Sequence, residues 1–152
     1  TGGFAQIVLE NGASSLDCVD VGSNQLHISL RKNEKLSLHE ETDIRAFKSD
    51  EAFELITCDV SFISILQIMN DINRLAKEGT DIVILYKPQF EVGKDVKRDS
   101  KGVVQDLDAI ARRKEAFEAE ALSLGWEEKY QSESKVTGKE GNQEYLYHFI
   151  KM

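Results

Sequence analysis

An α/β fold with a mostly parallel, doubly wound sheet is predicted by three observations. Apolar runs of strand length alternate with amphipathic stretches of helical period. Residues 82–86 are apolar without interruption, as in a strand buried on both faces of a parallel sheet. Acids and a lysine stand at the ends of the strand runs, where such sheets bind ligands. The 152 residues suffice for one domain with a continuous core, and the recurring apolar runs exclude a disordered chain.

The elements follow in order. Gly2-Gly3 leads into Phe4, Ile7 and Val8, whose spacing predicts a helix that stops at Asn11-Gly12. Residues 16–19 read as a short strand ending at Asp20, residues 24–31 as a short helix, and residues 36–40 as a second strand. Residues 53–58 are a third strand, ending at Asp59. Ile65, Ile68, Met69, Ile72, Leu75 and Ala76 keep helical period, with Gly79 as the stop. Pro88, the only proline, closes strand 82–86. Residues 87–105 form a long polar loop, a length that marks a functional or disordered segment. Asp106 starts a helix with Leu107, Ile110, Phe117, Ala121 and Leu124 on one face, ending at Gly125. Residues 126–134 and 145–150 are the last two strands, joined through Gly138 and Gly141. A doubly wound fold normally opens with a strand, whereas this chain opens on a glycine turn and its helix. Its first strand is therefore expected upstream of Thr1.

Charge and composition narrow the function. The net charge of −8 makes the chain a poor generic binder of nucleic acid, because phosphate affinity comes mainly from Lys and Arg. An enzyme of nucleic acid with this charge needs much of its grip from outside the chain. No apolar run approaches the roughly 20 residues of a membrane span. Cys18 and Cys58 cannot build a disulfide framework and fit a reducing cytoplasm; inside strand runs they read as small core residues. His27, His39 and His148 lack metal-ligand spacing, no Cys-x-x-Cys exists, and no metal is expected.

Two constellations carry chemistry. Gly2-Gly3 precedes a helix, where glycine admits a ligand close to the backbone beside the helix N-terminus. Asp20 follows Gly3 by seventeen residues at a strand's carboxyl end, the place of an acid that holds ribose hydroxyls. A tight turn and a solvated turn acid are the plain alternatives. Asp59 and Lys87 end two strand runs, so a parallel sheet brings both to one edge. Glu144 starts the last strand run and joins them there if that strand is antiparallel. An acid and a lysine in that place form either a proton-handling pair or a surface salt bridge of little worth. The loop 87–101 carries Lys87, Lys94, Lys97, Arg98 and Lys101 against Glu91, Asp95 and Asp99, which suits a phosphate contact less well than an ordinary solvated loop.

Several segments resemble the TlyA (haemolysin A) family within the FtsJ-like ribose methyltransferases. Thr1-Gly2-Gly3-Phe4 is similar to the end of that family's cofactor glycine motif. Val19-Asp20-Val21-Gly22 with Asn24-Gln25-Leu26-His27, and Thr42-Asp43-Ile44-Arg45, follow in the family's order. The most specific pieces are Cys58-Asp59-Val60-Ser61-Phe62-Ile63-Ser64 and Lys87-Pro88-Gln89-Phe90-Glu91-Val92-Gly93. Lys101-Gly102-Val103-Val104 and Gly141-Asn142-Gln143-Glu144 complete a set spanning nearly the whole chain. Two departures are mild: Asp43 stands where asparagine is frequent, and Tyr86 where a small aliphatic is common.

The resemblance implies a Rossmann-like methyltransferase sheet with an antiparallel last strand, residues 1–152 forming one domain without its first strand. It implies S-adenosylmethionine as methyl donor, a ribose 2′-hydroxyl of ribosomal RNA as acceptor, and a cytoplasmic place. By that similarity Gly2, Gly3 and Phe4 border the methionine part, Asp20 and Val21 the ribose, and Asp43 and Ile44 the adenine. The family's Lys-Asp-Lys-Glu catalytic set carries over as Asp59, Lys87 and Glu144, with Asp59 also at the cofactor. The set's first lysine and a small RNA-binding domain would precede Thr1. Four rival readings remain, the first a nicotinamide-binding oxidoreductase, whose G-x-G-x-x-G frame centred on Gly3 fails at Thr1 and Gln6. Amino-methylating enzymes often follow the corresponding acid with two prolines, which Asp59-Val60-Ser61-Phe62 lacks. A non-catalytic RNA-binding or assembly factor would keep the fold without the reaction. A cytolytic protein, which the family's name suggests, would call for a basic amphipathic helix that the sequence does not show.

Overall fold

The computed structural model describes residues 2–152, and Thr1, which opens the glycine segment, lies outside them. The chain divides into two units, Thr1–Ser49 and Asp50–Met152.

The first unit holds α1 (Gly3–Glu10), β1 (Leu16–Val19), α2 (Ile28–Arg31) and β2 (Leu36–His39). β1 and β2 pair in parallel, from Leu16 opposite Leu36 to Val19 opposite His39. α1 starts where expected, and Gly2 before it has a left-handed φ of 95°. The backbone conformation favours glycine here, and a Cβ, 2.5 Å from Leu26 Cδ1 and 2.6 Å from Leu30 Cδ1, would also make those leucine tips move. The helix expected over 24–31 shrinks to its last turn. Asn24 is left-handed at φ 56°, and the His27 ring accepts the Ser29 N–H to cap α2. The strand expected to reach residue 40 ends at His39, and Glu40 turns away to pair with Arg31. Cys18 is half-buried rather than in a core, because a two-stranded sheet closes neither face completely.

The second unit holds β3 (Phe53–Cys58), α3 (Met69–Leu75), β4 (Ala76–Tyr86), α4 (Leu107–Ser123), β5 (Trp126–Glu133) and β6 (Tyr145–Lys151). Short 3₁₀ turns span Ile65–Gln67 and Pro88–Phe90. The strand order is β3-β4-β6-β5. β4 runs parallel to β3 and antiparallel to β6, so the sheet is mixed and its last strand antiparallel, as expected. Among the described residues β3 pairs with β4 alone.

The core lies on one face of this sheet. Ile82, Ile84 and Tyr86 of β4 and Tyr147 and Phe149 of β6 are buried there. α4 adds Phe117, whose ring meets Tyr86 at 5.0 Å and stands edge-on to Tyr147 at 4.9 Å. Edge-to-face aromatic packing adds roughly 0.5–1.5 kcal/mol per pair beyond area burial. The uninterrupted run 82–86 is fully buried on that face only; Val83 and Leu85 on the other are half-buried.

Two helix expectations change. The helical period read from Ile65 splits into a 3₁₀ turn and α3, and Gly79 lies inside β4 rather than at a helix end. Ala76 is already extended and pairs with Phe53, while the next partner pair is Leu55 with Asp81. The extra residues bulge out. The buried Thr80 hydroxyl closes the bulge, accepting the Lys77 N–H at 2.9 Å and donating to the Phe53 carbonyl at 2.6 Å. Leu107, expected on the buried face of α4, is 75% exposed, because Asp106 caps the helix through the Ala109 N–H and leaves the first turn in solvent.

Candidate active site

The carboxyl ends of β3 and β4 and the start of β6 fall at one edge of the four-stranded sheet. The parallel register ending at Cys58 opposite Ile84 brings out Asp59 and Lys87 together. The antiparallel register ending at Tyr86 opposite Tyr145 makes Lys87 and Glu144 the next residues outward on neighbouring strands. The three ionisable residues expected at one edge are therefore there.

Their contacts are specific. Lys87 Nζ donates to Asp59 Oδ1 at 2.6 Å and to Ser61 Oγ at 3.0 Å. The Lys87 side chain is 13% exposed and that of Asp59 51%, so a largely covered amine is held against an open carboxylate. Glu144 is buried and accepts the Gln89 side-chain N–H at Oε2, 2.7 Å away. The next acid, Glu91, is buried too. Its Oε1 accepts the Ile65 N–H at 2.7 Å and its Oε2 the Ser64 hydroxyl at 2.6 Å. Burial raises the Glu91 carboxyl above the usual carboxylate range, against the lowering effect of those bonds and of Arg113. Burial, assisted by Asp59, pushes the Cys58 thiol up to about 12, so it stays protonated as a core residue and no nucleophile.

Sequence reasoning gave no site role to Ser61, Phe62, Gln89, Glu91 and Gly138. Phe62 is the most conspicuous. Its φ of 64° is left-handed, its side chain is 90% exposed, and its ring stands 4.9 Å from Phe90. A bulky residue in that backbone region stores strain, and such strain collects at functional sites. The signal was an aromatic residue three positions beyond a strand-end acid. Within the loop 87–105 the Arg98 guanidinium donates to the carbonyls of Gln89 and Gly93, and Arg98 bridges to Val104. Arg98 is thus committed within the loop.

The residues expected at the cofactor, Asp59 apart, lie in the first unit. Gly3 has open space where a Cβ would be. Asp20 follows β1, and its Oδ1 accepts the Gly22 N–H at 2.9 Å. Val21 beside it is 71% exposed. Phe4 is half-buried on α1. Both Asp43 oxygens are taken by Arg45, which holds that carboxyl down at about 2. Among the described residues no cluster of His, Cys, Asp and Glu suits a metal, and no helix is long and apolar enough to cross a membrane.

Known proteins share the sequence and the fold of this chain. The chain is 56% identical, over 99% of its length, to a 23S rRNA (cytidine-2′-O)-methyltransferase TlyA of Campylobacter jejuni, 59% of which it covers. It is 36% identical to a 16S/23S rRNA (cytidine-2′-O)-methyltransferase TlyA of Mycobacterium tuberculosis, covering 55% of it. The chain thus spans a little over half the length of these curated relatives. A hemolysin-named crystal structure from Lactococcus lactis superposes on all of the chain and 74% of its own, with a TM-score of 0.91 and 30% identity. The N-methyltransferase NodS of Bradyrhizobium japonicum, bound to S-adenosylhomocysteine, shares the fold at a TM-score of 0.64 and 16% identity, covering 99% of this chain and 72% of that one. With a family profile matched over residues 1–151 as well, the chain belongs to the FtsJ-like methyltransferase family.

Proposed function

We propose that this chain is the methyl-transferring part of an enzyme that acts on a ribose 2′-hydroxyl of ribosomal RNA in the cytoplasm. The observation that carries the reading is the Lys87 amine, held by Asp59 and Ser61 at the sheet edge where Glu144 also emerges. The rRNA methyltransferases among its relatives support the acceptor.

Membership in a methyltransferase family implies S-adenosylmethionine-dependent methylation, and the residues of the first unit fit that cofactor. A Cβ on Gly3 would meet nothing within 4 Å, so a ligand has room against the backbone there. Asp20 has one oxygen engaged by Gly22, and the other has no partner among the described residues, as an acceptor of ribose hydroxyls requires. Gly2, Phe4 and Val21 would line the methionine and ribose, and Asp43 with Ile44 the adenine. When bound, the cofactor supplies an electrophilic methyl group.

A ribose hydroxyl is a weak acid and a poor nucleophile, so the protein must favour its alkoxide. In this reading the Lys87 amine meets that hydroxyl and handles its proton or developing charge. Asp59 and Ser61 fix where Nζ lies, and Glu144 closes the reactive set from the neighbouring strand. Positioning of this kind supplies much of the acceleration, and no metal is called on. The treatment of residues 1–152 as one methyltransferase domain, with a first strand expected upstream, belongs to the same proposal; the outer edge of β3, unpaired among the described residues, supports it. The test is a map of 2′-O-methylation in ribosomal RNA from cells with and without the full-length gene. Loss of a methylated cytidine, restored by complementation, is expected; an unchanged map refutes the reading.

A further inference from the structure

The segment after β4 sends alternate side chains to three different places. Lys87 reaches Asp59 and Ser61, Gln89 reaches Glu144, and Glu91 reaches Ser64 and Ile65. From the middle contact we propose that Gln89 is a positioning residue, which holds the Glu144 carboxylate in its reactive orientation beneath the backbone of Gly138. The inference rests on the place given to Glu144 in the reactive set above.

Several observations carry it. The Gln89 amide donates at Nε2 to Glu144 Oε2 at 2.7 Å. Its Oε1 is buried and has no partner among the described residues. Turning the amide over would set its oxygen against a carboxylate oxygen, so Glu144 fixes which end faces it. A buried acceptor left unpaired is costly and calls for a reason, and the orientation of Glu144 supplies one. The backbone on both sides is pinned. Arg98 donates to the Gln89 carbonyl at 3.0 Å, and the Ser134 N–H donates to the Glu144 carbonyl at 2.8 Å.

Gly138 completes the enclosure. A Cβ on it would lie 2.9 Å from Glu144 Oε2 and 3.0 Å from Gln89 Nε2, too close for either. Gly138 cannot simply retreat, because its N–H donates to Asn142 and its carbonyl accepts from Gly141. Glycine at this position lets the backbone close over the hydrogen bond without displacing it. Bare backbone thus lies over the hydrogen bond between the amide and the carboxylate.

The experiment uses the full-length protein and ribosomal subunits from cells lacking the gene. Single-turnover methyl transfer, S-adenosylmethionine affinity and melting temperature are read together. Gln89→Leu keeps the side chain's size but removes the donor. The expected result is a rate lower by about 10- to 100-fold with cofactor affinity within about twofold, the scale of a misplaced reactive group. In a Glu144→Gln background, Gln89→Leu should change the rate by less than about twofold, because there is no carboxylate left to orient. Exchanging the two groups, Gln89→Glu with Glu144→Gln, keeps a hydrogen bond between them. It should melt near wild type yet transfer no faster than Glu144→Gln alone. The proposal is overturned if Gln89→Leu transfers at the wild-type rate, or slows transfer by the same factor in the Glu144→Gln background. If Gln89→Leu does not fold, Gly138→Ala, which displaces the same pair, takes the same readouts. A wild-type protein that transfers no methyl group overturns the proposed function, and this inference with it; an active wild type beside an equally active Gln89→Leu overturns this inference alone.

Discussion

Glu91→Ala tests how the site edge is tied together. In the folded chain this carboxylate accepts the buried Ile65 N–H and the Ser64 hydroxyl. A hydrogen bond to a charged group contributes about 1.5–3 kcal/mol, so losing both costs about 4 kcal/mol. Removing a carboxylate that is expensive to bury offsets about 2 kcal/mol of this, for a net loss of about 2 kcal/mol. In a domain of this size each kcal/mol moves the melting temperature by roughly 2–4 °C, so scanning calorimetry should show a drop of about 4–8 °C. Glu91→Gln keeps an acceptor for the Ile65 N–H and should melt well above Glu91→Ala. The two also differ in pH response. Burial raises the Glu91 carboxyl, so the folded chain keeps that proton to a higher pH than the unfolded chain. Wherever only the folded state is protonated, stability falls as pH rises. Glutamine cannot ionise, so relative to wild type Glu91→Gln should gain stability as pH rises above the ordinary glutamate pKa of about 4. A melting temperature for Glu91→Ala within about 1 °C of wild type would refute the hydrogen-bond accounting.

Other expectations concern ligands. Phe62→Gly relieves a left-handed backbone that stores about 1–3 kcal/mol, so the protein should melt no lower than wild type. Loss of its exposed ring, a stacking face for a base worth about 1–3 kcal/mol, should raise KM for ribosomal subunits about tenfold. A lower melting temperature with unchanged KM would contradict both halves. Asp20→Ala should weaken S-adenosylmethionine binding by about 1–3 kcal/mol in calorimetric titration, since hydroxyls lose their acceptor; unchanged affinity removes Asp20 from the site.

Much of the architecture was legible because it is written locally. β1 and β3 have the expected bounds, since short runs such as Phe53–Cys58 end at an aspartate that leaves the sheet. The convergence of Asp59, Lys87 and Glu144 was legible because each stands at the end of a strand run and the antiparallel last strand brings the third around. What escaped depends on distant partners. Gly79 has the composition of a helix stop, but the pairing of Ala76 with Phe53 turns its neighbourhood into a bulge. Gln89 and Glu91 look like ordinary polar loop residues until the fold brings Glu144 and Ser64 to them. Gly138 is one glycine among several in a polar connection, and only the positions of two other side chains show that a Cβ there would displace them.

In the proposed reaction the Lys87 amine meets the acceptor hydroxyl, and everything else serves that encounter. It is tested most directly by single-turnover methyl transfer to ribosomal subunits with Lys87→Ala and Lys87→Arg in the full-length protein, beside cofactor affinity. Alanine should lower the rate by roughly 10²–10⁴-fold with affinity nearly intact, and arginine should fail as well because its planar, permanently charged fork differs in reach. Near wild-type transfer by Lys87→Ala would contradict the account, and a joint collapse of rate and affinity would make Lys87 a structural ion pair with Asp59.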